Sequence, residues 1–121
     1  MTNKPAFDWS QAASLLGDDP QKVSEDMVEI VGELIESAND HLQELKTKNP
    51  DTERKAISAL AHQLRGSLLN FGFTEVGTIL IHIEKDNFPS SDYLNMVANA
   101  EKTFIASRQL LVERYPSLRL S

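Results

Sequence analysis

The chain has no cysteine. Disulfides, thiolate metal sites and cysteine nucleophiles are therefore excluded. Glycine and proline are scarce, five of each, and the prolines, with Gly17 and Gly72, sit where the apolar pattern breaks. Cationic residues are outnumbered, 12 Lys and Arg against 18 Asp and Glu, for a formal charge of −6. That balance disfavours nucleic acid and anionic membrane as partners. No run approaches the roughly 18 apolar residues that a membrane span needs, and the start, MTNKPAFDWSQ, holds no apolar signal core. No segment alternates with period two over a strand's length, and there is no internal repeat or low-complexity linker. The 121 residues are long enough to bury a core without staples. The expectation is one domain over residues 1–121, monomeric and cytoplasmic.

What is present is helical periodicity. A short helix is expected from about Trp9 to Leu16, capped by Asp8 or Ser10 and closed by Gly17. Asp18-Asp19-Pro20 reads as a cap followed by proline near the first helical position. A long helix then runs to about Lys48, with Val23, Met27, Ile30, Val31, Leu34, Ala38, Leu42 and Leu45 on its apolar face. Asn49-Pro50 breaks it. Asp51 or Thr52 opens the next helix, which buries Ile57, Leu60, Ala61, Leu64 and Leu68, and Gly72 fits its C′ position. Thr74 can cap a further helix with Val76, Ile79, Leu80 and Ile83 inward. After a turn at Asn87–Ser91, the last helix spans about Asp92 to Arg114, with Tyr93, Met96, Val97, Ala100, Phe104, Ala106 or Ser107, and Leu111 inside. Four amphipathic helices with short connections imply an all-α, antiparallel up-down-up-down four-helix bundle. The short N-terminal helix lies across one end, which Phe7 and Trp9 plug.

One histidine does not fit the core. With about 100° per residue, His62 points roughly 140° from the centre of its helix's apolar face. Gly66 follows one turn later on the same stripe. Glycine in a helix interior costs about 1 kcal/mol relative to alanine, so a bare patch beside an imidazole suggests that something approaches the ring. The alternative is a solvated surface histidine. His62 lies eleven residues before Phe73, where the hairpin turns, and Glu84 lies eleven after it. In an antiparallel pair these two stand at one level. Glu84 is therefore a candidate hydrogen-bond partner for one ring nitrogen, which would leave the other nitrogen's lone pair outward; otherwise it is a solvated acid near a helix end. Arg65, one turn from His62, could set a fixed cation beside whatever approaches the ring, or it snorkels along the bundle. Leu69, Ile81 and Gly77 flank the same groove and, with Gly66, could form a docking patch or only the packed edge of the bundle.

The stretch Ala61-His62-x-Leu64-Arg65-Gly66-Ser67, followed by Gly72 and then Val76, Ile79, Leu80 and Ile83-Glu84, resembles the signature of histidine-containing phosphotransfer (HPt) domains. It aligns without a gap from Ala61 to Glu84. Leu15-Leu16-Gly17-Asp18-Asp19-Pro20 also looks like the family's usual approach to its first long helix, so the resemblance covers about residues 14 to 110. Arg65 stands where lysine is usual. It keeps the charge but not the geometry. Leu68 and Phe73 stand where the family usually has small residues.

The resemblance implies that His62 is a transient nucleophile, phosphorylated on Nε2, that relays a phosphoryl group between receiver-domain aspartates, with Glu84 orienting the ring and Arg65 stabilising charge on the phosphoryl group. The partners would be the receiver domains of a hybrid sensor kinase and of a response regulator. No intrinsic cofactor is expected; the receiver would bring Mg²⁺. The chain carries no Gly-rich nucleotide loop and is expected to be a phosphotransfer intermediate without autokinase activity. The alternative is an interaction module that keeps the fold, binds a receiver domain or kinase, and transfers nothing. A di-metal bundle would need Glu-x-x-His pairs, and no glutamate here has a histidine three residues on.

Overall fold

The computed structural model describes residues 7–118. It contains five α-helices, α1 (Trp9–Leu16), α2 (Glu25–Thr47), α3 (Arg54–Leu69), α4 (Thr74–Glu84) and α5 (Tyr93–Arg114). Two single 3₁₀ turns, Ser90–Asp92 and Pro116–Leu118, flank α5. Among the described residues there is no strand. α2 packs on α3, α3 on α4, α4 on α5, and α5 back on α2, with the most extensive contact between α3 and α4. Neighbours in sequence that close a ring through short loops make the expected up-down-up-down bundle.

The start of α2 differs from expectation. Proline at position 20 does not open the helix. Asp19 instead closes a local turn around it, accepting from the Gln21 amide through its side chain at 2.9 Å and from the Lys22 amide through its carbonyl at 3.0 Å. The cap is Ser24, whose hydroxyl accepts from the Met27 amide at 3.2 Å. Glu25 and Asp26 then place negative charge in the first turn, where the helix dipole favours it. The buried face is Val31, Ile35, Ala38, Leu42 and Leu45. Ile30, expected inside, is 46% exposed, and Ile35 takes the core position. The start of α3 also differs. Asn49 and Glu53 bond each other's neighbourhood, Glu53 Oε1 accepting from the Asn49 amide and Asn49 Oδ1 from the Asp51 amide. Glu53 is the cap residue, so neither Asp51 nor Thr52 opens the helix.

The α3–α4 turn is built on Gly72. The Phe73 amide bonds the Leu68 carbonyl and the Gly72 amide bonds the Leu69 carbonyl, both at 3.1 Å. This is the Schellman pattern with glycine at C′. Gly72 has φ +91°, and a Cβ there would lie 2.6 Å from the Asp8 carbonyl oxygen. The Asp8 amide in turn donates to the Gly72 carbonyl at 2.8 Å. The residue before α1 is thereby pinned to the hairpin tip. Phe73, rather than a Thr74 hydroxyl, occupies the cap of α4 and is fully buried. Burial of a side chain of this size is worth about 1.5–3 kcal/mol. Phe7 stacks on Trp9 at 4.4 Å and meets Phe73 edge-on at 4.9 Å, and Arg114 lies over Trp9. These contacts are the plug at that end of the bundle.

The opposite end is held by Arg54. Its Nε donates to the Pro50 carbonyl, Nη1 to the Phe88 carbonyl at 2.8 Å and Nη2 to Ser90 Oγ at 3.0 Å, while the guanidinium lies 4.2 Å over the Phe88 ring. Nη1 also reaches Asp86 at 3.3 Å. Asp86 has φ +60° and stops α4 directly after Glu84 and Lys85, a left-handed position that Asp tolerates better than most residues. The α3 start and the α4 end are thus fixed to each other one turn from Ser58 and Glu84.

Candidate functional site

His62 projects from the middle of α3 between buried Ala61 and Leu64. Its side chain is 67% exposed. Gly66, one turn on, is exposed, and a Cβ there would meet nothing within 4 Å. The face beside the ring is therefore open to a second molecule.

Glu84 stands across the α3–α4 groove at the level of His62. Its Oε2 lies 2.9 Å from His62 Nδ1, and its Oε1 accepts from Arg65 Nε at 2.7 Å. The main chain at Glu84 is anchored as well, because Ser58 Oγ donates to its carbonyl at 2.6 Å. Ser58 is four residues before His62 and so shares its stripe. That spacing was the available signal for a residue that sequence reasoning passed over.

The protonation state follows from the partners. The Arg65 hydrogen bond, first, and the His62 hydrogen bond hold the Glu84 carboxyl below the usual carboxylate range, against the partial burial that raises it. An ionised carboxylate only accepts. His62 Nδ1 is therefore the donor, and in the neutral ring the lone pair is on Nε2. Arg65 Nη2 also approaches Nδ1, at 3.4 Å. Two donors cannot bond through one proton-bearing nitrogen, so that approach is a contact and the 2.9 Å bond to Glu84 is the one that orients the ring. Arg65 lies on the Nδ1 side, with its guanidinium engaged by Glu84, instead of standing free beside Nε2.

The four residues expected to form a docking patch separate into two groups. Gly66 is exposed, and Leu69 and Ile81 are half-buried along the groove. Gly77 is buried, with Leu69 lying against it. It is part of the helix–helix contact and offers no surface to a partner. No group of three or more His, Cys, Asp or Glu that could hold a metal ion occurs among the described residues, and none of their helices is long and apolar enough to cross a membrane.

The family model of the Hpt domain matches residues 29–101. The matched segment contains His62, Arg65, Gly66 and Glu84 and spans α3 and α4 entire. Neither the curated proteins nor the solved structures give a match. Hpt domains serve histidine phosphotransfer in phosphorelays, meet receiver domains of two-component systems, and are carriers rather than catalysts. The match covers more than half of the chain and falls on an all-helical bundle with an exposed, oriented histidine, and the chain belongs to the Hpt domain family.

Proposed function

We propose that His62 is the phosphoryl acceptor of a monomeric, cytoplasmic relay protein that passes the group from the receiver domain of a hybrid sensor kinase to that of a response regulator. The Nε2 lone pair attacks phosphorus of the receiver's aspartyl phosphate. The N–P bond forms as the P–O bond breaks, and the aspartate leaves as carboxylate. The reverse step discharges the group to the next receiver. Nδ1 keeps its proton throughout, so the ring becomes cationic when Nε2 is phosphorylated. The Glu84 carboxylate beside Nδ1 opposes that charge at low reorganisation cost.

The observation that carries this reading is an imidazole 67% exposed with its Nδ1 edge bonded to Glu84 at 2.9 Å. Arg65 supplies the cation near the reacting group. In the resting chain its Nε holds the Glu84 carboxylate in place at 2.7 Å. Gly66, Leu69 and Ile81 form the docking edge, and Mg²⁺ with its acidic pocket comes from the receiver. The chain acts as an intermediate and does not phosphorylate itself.

Incubation with a phosphorylated receiver domain tests this. The expected result is an acid-labile, base-stable label on the wild-type chain and none on His62→Gln. A wild-type chain that takes no label, or a His62→Gln variant that does, overturns the reading.

A further inference from the structure

The α3–α4 contact has one point of unusual closeness. A Cβ built on Gly77 would lie 2.6 Å from Leu69 Cδ2, 3.1 Å from Leu69 Cγ and 3.7 Å from Arg65 Cγ. The first distance is one that real Cβ atoms do not adopt, and the second involves a branch point that cannot swing away alone. The bare α4 backbone at Gly77 is therefore the seat of Leu69, and Leu69 with the Arg65 stem covers it. Beyond that stem, Arg65 Nε reaches Glu84 Oε1 at 2.7 Å, and Glu84 Oε2 reaches His62 Nδ1 at 2.9 Å. Arg65 and Glu84 are each only 22% exposed, so the pair depends on the helix spacing and has little freedom to re-form elsewhere.

We propose that Gly77 is a positioning residue for His62: by letting Leu69 and the Arg65 stem lie directly on α4, it sets the distance at which Arg65 grips Glu84 and Glu84 fixes the Nδ1–H form of the ring. The geometry stands on its own, and only its kinetic consequence rests on His62 being the phosphoryl acceptor. Any side chain at position 77 must push Leu69 outward or the helices apart. Separating the helices draws Arg65 away from Glu84, and displacing Leu69 presses on the Arg65 stem, its neighbour four residues back on the same helix stripe. The carboxylate then loses its second anchor and its hold on Nδ1.

The test is Gly77→Ala and the double variant Gly77→Ala with Leu69→Ala, read by the ¹⁵N shifts of the His62 ring at mildly alkaline pH. An unrestrained neutral histidine favours the Nε2–H form, so the wild-type chain should show the opposite, Nδ1–H, form. Gly77→Ala should shift the ring toward Nε2–H and slow phosphoryl uptake from a phosphorylated receiver by about tenfold, the scale of one charge-assisted hydrogen bond. The double variant should return the ring shifts to wild type, because truncated Leu69 leaves room for the new Cβ. Its uptake is not scored, since Leu69 also lies on the docking edge. Wild-type ring shifts in Gly77→Ala overturn the proposal, and so does a double variant that stays as altered as the single one. If Gly77→Ala does not fold, the double variant decides alone: folded with wild-type ring shifts it supports the proposal, and unfolded or altered it refutes it. The ring shifts are readable whether or not the wild-type chain takes up phosphate, so failure of the phosphotransfer reading is seen separately.

Discussion

Glu84 meets His62 on the Nδ1 edge, 2.9 Å away, from the last turn of the neighbouring helix. The bond joins residues 22 apart in sequence across the α3–α4 hairpin. It gives one ring nitrogen a fixed partner and leaves the other to solvent. A nucleophilic imidazole needs this division, since the attacking atom must be unprotonated and accessible at once.

Removing that bond should slow transfer and leave the bundle standing. A hydrogen bond to a charged group is worth about 1.5–3 kcal/mol, or on the order of ten- to a hundredfold in rate. Glu84→Gln and Glu84→Ala should lose that much in rapid-mixing assays with a phosphorylated receiver, with unchanged helical circular dichroism. Glu84→Ala transferring at the wild-type rate throughout the neutral pH range would reduce Glu84 to a surface acid.

Gly66 should separate stability from function. Its backbone is helical and open space surrounds it, so Gly66→Ala should raise stability by about 0.5–1 kcal/mol. Gly66→Gln should fold as well but obstruct the approach to His62 and depress phosphoryl uptake. Thermal melts and labelling of the same two proteins check both halves. Full uptake by Gly66→Gln would count against close approach over this patch.

The pairing of His62 with Glu84 was legible because helix hairpins obey simple arithmetic. Residues equally far from the turn at Phe73 share a level, and the glycine that makes the turn is recognisable by its place after the apolar run. The buried face of α2 was less legible. Ile30 and Ile35 both fit a three-and-four spacing around Ala38, and only packing against α3 and α5 chooses Ile35. The Arg65–Glu84 ion pair was not legible at all. A wheel drawn for one helix says where Arg65 points, but the reach to Glu84 depends on how closely Gly77 lets α4 approach. The Arg54 clamp escaped for the same reason, because two of its acceptors, the Phe88 carbonyl and Ser90 Oγ, lie more than thirty residues away.

Tyr93 should give the bundle an alkaline limit. It is fully buried, and its hydroxyl donates to the Leu45 carbonyl. Burial, with the nearby Glu53 charge, pushes its pKa up to about 12. The unfolded chain loses this proton near the ordinary value of about 10. The folded state thus binds the proton more tightly, and the contribution is complete below about pH 10 and declines as pH rises through the folded value. Tyr93→Phe should cost about 1 kcal/mol at neutral pH, no more, because the Leu45 carbonyl also accepts from the Lys48 amide. In urea titrations the gap between wild type and variant should narrow above about pH 10. A constant gap would mean that the phenol ionises without leaving its site.

Arg65 should reveal its resting role through the titration of Glu84. Its hydrogen bond is the largest cause of the lowered Glu84 pKa. A lowered carboxyl pKa stabilises the fold above the unfolded value, and that contribution is lost as pH falls through the folded one. Arg65→Gln should therefore move the Glu84 carboxyl titration, followed by ¹³C NMR, upward toward the ordinary range. The bond to His62 Nδ1 should then fail at a higher pH than in wild type. Arg65→Lys should recover part of the shift but not all, because an ammonium keeps the charge without the planar Nε–H that meets Oε1. If Arg65 acted only on the incoming phosphoryl group, neither substitution would move the Glu84 titration, and both would slow transfer equally at every pH. A shift of the carboxyl titration together with an acid-side loss of transfer would place Arg65 upstream of the histidine, as the residue that keeps Glu84 ionised and in reach.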